Sequence, residues 1–211
     1  MITILCIAAL LSALAAIAAE WNERRHKSFY LLKPLTTLLI IVIALCGPAS
    51  EYRSLVCLGL LLSLSGDICL MFEGDGWFIG GLGSFLVAHG LFVAAFAYGI
   101  PLNGVPWWSG MFVLYGILFF GWLLPRTGKL MPAVVIYGVA LLAMAVAASG
   151  RWATLQDTRA LLALCGAILF VVSDSSLAVR KFRGAYRHAQ TLILSTYWAS
   201  ISLIALSATA Y

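Results

Sequence analysis

Eight long apolar runs divide this chain, and almost nothing charged interrupts them. They cover about 2–19, 28–46, 54–72, 78–99, 109–124, 130–149, 159–179 and 189–209. A helix crossing the ~30 Å hydrocarbon core takes about 20 residues, so each run approaches spanning length. The connectors leave no room for a soluble domain. Charged residues make up only 10% of the 211 and hydrophobic residues 63%. Ordinary globular proteins are about a quarter charged, so a water-soluble body is excluded, and the apolar content excludes disorder. No strand alternation appears, and helices satisfy their own backbone groups in lipid. The expectation is an all-α, polytopic membrane helix bundle of about eight transmembrane helices, forming one integral domain over residues 1–211.

Ala16-Ile17-Ala18 resembles a signal-peptide cleavage site. However, no Lys or Arg precedes the first apolar run and a basic cluster follows it. That charge order reverses the secretory one, and a retained first span is expected. The net charge of +5 belongs to short loops and is not a nucleic-acid signal. With the N-terminus outside, the inner loops hold Arg24, Arg25, Lys27, Arg126, Lys129, Arg180, Lys181, Arg183 and Arg187, and the outer ones hold Arg53, Arg151 and Arg159. Nine against three favours both termini outside. Trp21, Trp77, Trp107, Trp108, Trp122 and Trp152 fall near run ends, as interfacial anchors do; Trp198 falls well inside the last run. The five cysteines stand singly in apolar runs with no CxxC and read as small buried hydrophobes.

Four ionisable residues remain at membrane depth: Lys33, Asp67, His89 and Asp174. Each charged one costs at least ~2.5–3.5 kcal/mol at a helix centre on insertion scales, so such residues point to function. A Lys–Asp pair that only locks the bundle accounts for one carboxylate and leaves the other over. Counted from the inner ends of their runs at ~1.5 Å per residue, Lys33, Asp67, Ser84, Asp174 and Tyr197 all sit about 7–12 Å deep. A polar cavity open to that side explains them together. His89 lies nearer mid-membrane. A single deep His is too few nitrogen ligands for the usual three-ligand catalytic zinc, because His26 and His188 fall in loops; no metal or cofactor is expected. The glycines of the fourth run, Gly80, Gly81, Gly83 and Gly90, read as close helix packing. Tyr115 and Tyr137 receive no role.

The two Asp segments resemble each other. Gly59, Ser63, Gly66, Asp67 and Leu70 form one helical stripe, and Gly166, Phe170, Ser173, Asp174 and Leu177 repeat it at a constant offset of 107. This suggests a four-plus-four parallel repeat with one carboxylate from each half.

Several segments together resemble the YhhN/TMEM86 family of lysoplasmalogenases. They are Lys33-Pro34-Leu35-Thr36, Ser65-Gly66-Asp67-Ile68-Cys69-Leu70, FIGGLGSFLVAH at 78–89, Ser173-Asp174-Ser175-Ser176-Leu177-Ala178 and Thr196-Tyr197-Trp198. The resemblance runs from Lys33 to Tyr197. The chain departs from the pattern afterwards, with Ala199, Ser200 and Ile201 where a glutamine is expected. The family implies hydrolysis of the vinyl ether of a lysophospholipid, yielding a fatty aldehyde and a glycerophospho-ethanolamine or -choline.

That chemistry suits the residues. A vinyl ether hydrolyses after protonation at carbon, which needs a carboxylic acid; removal from water favours the neutral form of a carboxyl group. A second carboxylate steadies the positive charge and activates water, as in glycoside hydrolysis. Asp67 and Asp174 are the candidate catalytic pair. Lys33, Ser84, His89, Ser173 and Tyr197 are the candidate supporting or substrate-binding residues, with Lys33 keeping one Asp ionised. The expected location is the bacterial inner (cell) membrane, with membrane lipid around the protein and the cavity toward the cytoplasmic half. A small proton-coupled transporter would also bury Asp, Lys and His in a repeated bundle. It should spread them toward both faces, whereas here they gather on one side.

Overall fold

In a computed structural model, which describes residues 1–20, 26–101 and 104–209, the apolar runs become eight helices. They are α1 (Ile2–Ala19), α2 (Phe29–Leu45), α3 (Glu51–Cys69), α4 (Asp75–Ala97), α5 (Gly110–Leu123), α6 (Met131–Leu155), α7 (Thr158–Arg183) and α8 (Ala189–Ser207). Among the described residues, seven helical segments are long and apolar enough to cross a membrane, and α2 is a shorter apolar helix. Trp21, Arg24 and Arg25, which the sequence places at the first inner loop, lie outside the described residues.

Local chemistry sets the helix ends. The Ser50 hydroxyl accepts from the Arg53 amide at 3.1 Å and starts α3, and the Asp157 carboxylate accepts from the Ala160 amide at 2.7 Å and starts α7. Gly150, read from sequence as a connector, lies inside α6, which continues to Leu155. One glycine does not stop a helix whose next residues still find packing partners; here Trp152 meets Trp108 edge-on with centroids 6.1 Å apart.

Packing is organised by an aromatic stripe on α4. Phe85, His89, Phe92 and Phe96 recur at helical spacing and are all buried. Phe170 of α7 and Tyr197 of α8 meet it from the other side, with Phe85 6.1 Å from Phe170 and 5.8 Å from Tyr197 between centroids. On α3, Gly59 and Gly66 make the room: a Cβ on either would lie 2.5 Å from the ring of Phe92 or Phe85. This reverses the expectation for the α4 glycines. Of those, only Gly81 has a neighbour at close range, Leu70 at 2.8 Å; a Cβ at Gly80 would make ordinary contact, and Gly83 and Gly90 face open space. The bulky residues are on α4 and the small ones on α3. The cysteines also differ from expectation. Only Cys57 is buried, and Cys165 is exposed on the bundle surface, where the lipid-facing side of a span is itself apolar.

The ends of α1, α3, α5 and α7 meet the starts of α2, α4, α6 and α8 at one end of the bundle. Contacts there include Lys181 Nζ with Asp75 Oδ1 at 3.1 Å, the Arg183 guanidinium over the Trp122 ring at 3.7 Å, and Gln190 Nε2 donating to Glu20 Oε2 at 2.8 Å. This is the basic end. At the opposite end the Tyr52 and Ser207 hydroxyls are 2.7 Å apart, and Arg151 lies over the Tyr52 ring at 4.1 Å.

Candidate active site

α2 presents Lys33 and Thr37, one helical turn apart on one face, to the last turn of α3. Lys33 Nζ is 3.3 Å from Asp67 Oδ1 and donates to the Asp67 backbone carbonyl at 3.2 Å. Thr37 and Tyr197 each donate a hydroxyl hydrogen bond to Asp67 Oδ2 at 2.7 Å. The Asp67 side chain is 2% exposed and that of Lys33 6%. A charge this deep is tolerated when it is paired and hydrogen-bonded, and Asp67 has a cation on one oxygen and two donors on the other.

Asp174 on α7 is 9% exposed and is held differently. Tyr137 of α6 donates its hydroxyl hydrogen bond to Oδ2. His89 of α4 brings Nε2 to 3.9 Å from the same oxygen, within ion-pair range but too far for a hydrogen bond. Both ring nitrogens of His89 are buried without a hydrogen-bond partner. The imidazole is boxed edge-on by Phe170 and Tyr137, with centroids 4.7 and 5.1 Å away. Among the described residues no Lys or Arg is within ion-pair distance of Asp174.

The two carboxylates line one cavity of about 340 Å³. Lys33, Ser173 and Tyr197 line it with them, and Glu73, Arg180, Lys181 and Gln190 line it toward the basic end. Arg180 donates to the Gln190 side-chain carbonyl, and the Lys181 ammonium lies 4.5 Å from the Phe78 ring centroid. Ser173 donates to the Ile193 carbonyl at 3.0 Å and so ties α7 to α8 beside Asp174.

Depth and rotation separate the residues expected from sequence. Lys33, Asp67, Asp174, Ser173 and Tyr197 come together. His89 reaches Asp174 from behind the cavity wall. Ser84 is not brought in: its hydroxyl donates to the Leu62 carbonyl at 2.7 Å and is spent on the α3 backbone. Two residues near the site were missed. Thr37 is signalled only by its spacing of four from Lys33. Tyr137 lies at the same depth as the others but sits in an otherwise apolar run. The Tyr115 hydroxyl, also given no role, donates to Ser175 at 2.6 Å.

Fold and site together define a polytopic integral membrane protein with two differently partnered carboxylates, one buried and one partly buried, on one polar cavity. The chain belongs to the YhhN family, whose model matches residues 28–208. It is 37% identical over 161 residues to the bovine (Bos taurus) protein Lysoplasmalogenase TMEM86A, covering 71% of this chain and 63% of the relative. It is 32% identical over 171 residues to the human (Homo sapiens) Lysoplasmalogenase TMEM86B, covering 77% of this chain and 66% of the relative. The chain thus spans somewhat less than two thirds of the length of these relatives. No solved structure matches it.

Proposed function

We propose that this chain is a membrane hydrolase that cleaves the vinyl ether bond of lysoplasmalogens. The products are a fatty aldehyde and a glycerophospho-ethanolamine or -choline. The observation that carries the reading is the unequal partnering of Asp67 and Asp174 on one cavity. The names of the relatives point to the same substrate class.

In the proposed reaction Asp174 is the carboxylic acid. Tyr137 donates to Oδ2, leaving Oδ1 to carry the proton. That proton goes to the double-bond carbon remote from the ether oxygen. The π pair forms the new C–H bond and leaves an oxocarbenium ion at the other carbon. Asp67 stays ionised beside Lys33. A carboxylate offers about four lone-pair sites; Lys33, Thr37 and Tyr197 engage three, and one remains for water. Asp67 takes a proton from that water as its oxygen bonds to the oxocarbenium carbon. The hemiacetal then collapses. Its C–O bond to glycerol breaks, the hydroxyl proton passes to the departing oxygen, and the aldehyde is released. Return of the proton from Asp67 to Asp174 resets the pair, with one water consumed. Arg180 and Lys181 face the substrate phosphate.

We place the basic end at the cytoplasmic face of a bacterial inner membrane with both termini outside, on the nine-to-three loop bias. The deciding test offers purified protein a lysoplasmalogen and its saturated alkyl-ether analogue. Aldehyde should appear from the first alone. No aldehyde from the vinyl ether would reject the reading.

A further inference from the structure

Asp174 stands at a junction between polar and apolar space. On one side is the polar cavity. On the other an apolar pocket of about 60 Å³ lies among α4, α5, α6 and α7, and it shares Phe78, Asp174 and Leu177 with that cavity. A second apolar pocket of about 550 Å³ continues between α5 and α6 toward the opposite end, and shares Gly116, Phe120 and Leu142 with the first. The three spaces follow one another, and the carboxyl group marks the first boundary.

We propose that the two apolar pockets form one groove that seats the alkenyl chain of the substrate, and that Phe120 and Leu142 form its neck. The proposal rests on the vinyl-ether reading. In a vinyl ether the carbon that accepts the proton is the one that carries the hydrocarbon chain, and the ether oxygen leads the other way to glycerol and phosphate. An acid that protonates this carbon has to stand where chain and head group part. Asp174 stands there, with Arg180 and Lys181 on the head-group side and apolar walls on the other.

The length agrees. The groove is lined along α6 from Val134 to Gly150, and thirteen of those steps separate Tyr137, which holds Asp174, from Gly150. Those thirteen steps amount to about 20 Å of helix rise. One leaflet chain fills about 15 Å, half of the ~30 Å core.

The neck is made by two side chains lying on glycines of the facing helix. A Cβ on Gly138 would be 2.2 Å from the Phe120 ring, and one on Gly116 would be 2.4 Å from a Leu142 methyl. Aromatic and methyl groups thus occupy the space between the pockets, and a chain passes by displacing them. The Tyr115 hydroxyl, turned to Ser175, leaves its ring as groove wall.

The test measures aldehyde release from lysoplasmalogens with long (about 16-carbon) and short (about 8-carbon) chains, the long one filling roughly a leaflet. Ala143→Trp, from α6, and Val113→Trp, from α5, fill the outer pocket from two sides, so one misfolded variant does not end the test. Each should lower the long-to-short ratio of kcat/KM at least about tenfold, because displaced methylenes lose their burial. Phe120→Ala should raise that ratio. A ratio unchanged in both folded tryptophan variants overturns the groove alone and makes it a seat for surrounding lipid. Absence of aldehyde from every chain length in the unaltered protein overturns the hydrolase reading and the groove with it.

Discussion

Replacing Lys33 by Met probes what holds a carboxylate ionised inside the bundle. Met keeps the length of the side chain and removes the charge. In the unaltered protein Nζ contacts Asp67 at Oδ1, 3.3 Å, and at the backbone carbonyl, 3.2 Å, and both side chains are nearly inaccessible. Removing one partner of such a buried pair costs about 3–5 kcal/mol, because the remaining charge is left without compensation. For a chain of this size a loss of that order lowers the melting temperature by roughly 10 °C. The Thr37 and Tyr197 hydroxyls stay in place but bring no charge. Asp67 then escapes the penalty by taking up a proton, which removes the base from the proposed reaction. Lys33→Met should therefore lose both stability and nearly all turnover. The double variant Lys33→Met/Asp67→Asn buries no charge at this position. It should melt above the single Lys33 variant while remaining inactive. Thermal melting in detergent, read as a double-mutant cycle with aldehyde release beside it, separates the two effects. Equal melting of the single and double variants would refute the argument, as would normal turnover in Lys33→Met.

Asp67→Asn and Asp174→Asn should each abolish most turnover while the protein still inserts, because Asn can neither give the proton nor carry the charge; near-normal activity in either removes that residue from the mechanism. Tyr137→Phe should lower kcat about tenfold with KM little changed, the worth of one hydrogen bond to an acting group; an altered KM alone would assign Tyr137 to binding. If carbon protonation limits the rate, turnover should slow in heavy water, and chelators should have no effect, because the proposed steps run on the two carboxyl groups alone; loss of activity on metal stripping, restored by zinc, would overturn this account and make His89 a ligand candidate. A reporter fused after α8 should report the outer side; a cytoplasmic signal would invert the proposed orientation.

The spans were legible because lipid imposes a length and forbids charge, and both constraints are written residue by residue. Depth was legible for the same reason, since each helical residue advances ~1.5 Å. Rotation about the helix axis was not. Ser84 has the right depth but turns its hydroxyl to the Leu62 carbonyl. Thr37 lies one turn deeper than Lys33 and has the right rotation, yet a threonine in an apolar helix more often bonds its own backbone, as Thr36 does with the Leu32 carbonyl at 2.8 Å. Tyr137 was hidden because a phenol in an apolar run counts as hydrophobe until its hydroxyl finds an acceptor. The glycine pattern misled because a small residue shows that something approaches, not from which helix. On α4 two of the four open to space, while those on α3 receive the α4 rings.

The partners of the two carboxylates follow one plan. Asp67 on α3 is held by Lys33 and Thr37 from the preceding helix, α2, and by Tyr197 from α8. Asp174 on α7 is held by Tyr137 from its preceding helix, α6, and approached by His89 from α4. If α1–α4 and α5–α8 are equivalent halves, each carboxylate takes one set of contacts from the helix before it and one from the last helix of the other half. We propose that the offset of 107 between the Asp stripes records such a parallel repeat. In that arrangement the topological places are the same and the chemistry differs. The place that carries a cation beside Asp67 carries a phenol beside Asp174, and the place that carries a phenol beside Asp67 carries an unpartnered imidazole beside Asp174. A duplicated scaffold would then hold two carboxyl groups in like positions and give them unlike protonation states, which is what proton transfer followed by capture of water requires. Failure of α1–α4 to superpose on α5–α8 would separate the two roles from any common origin.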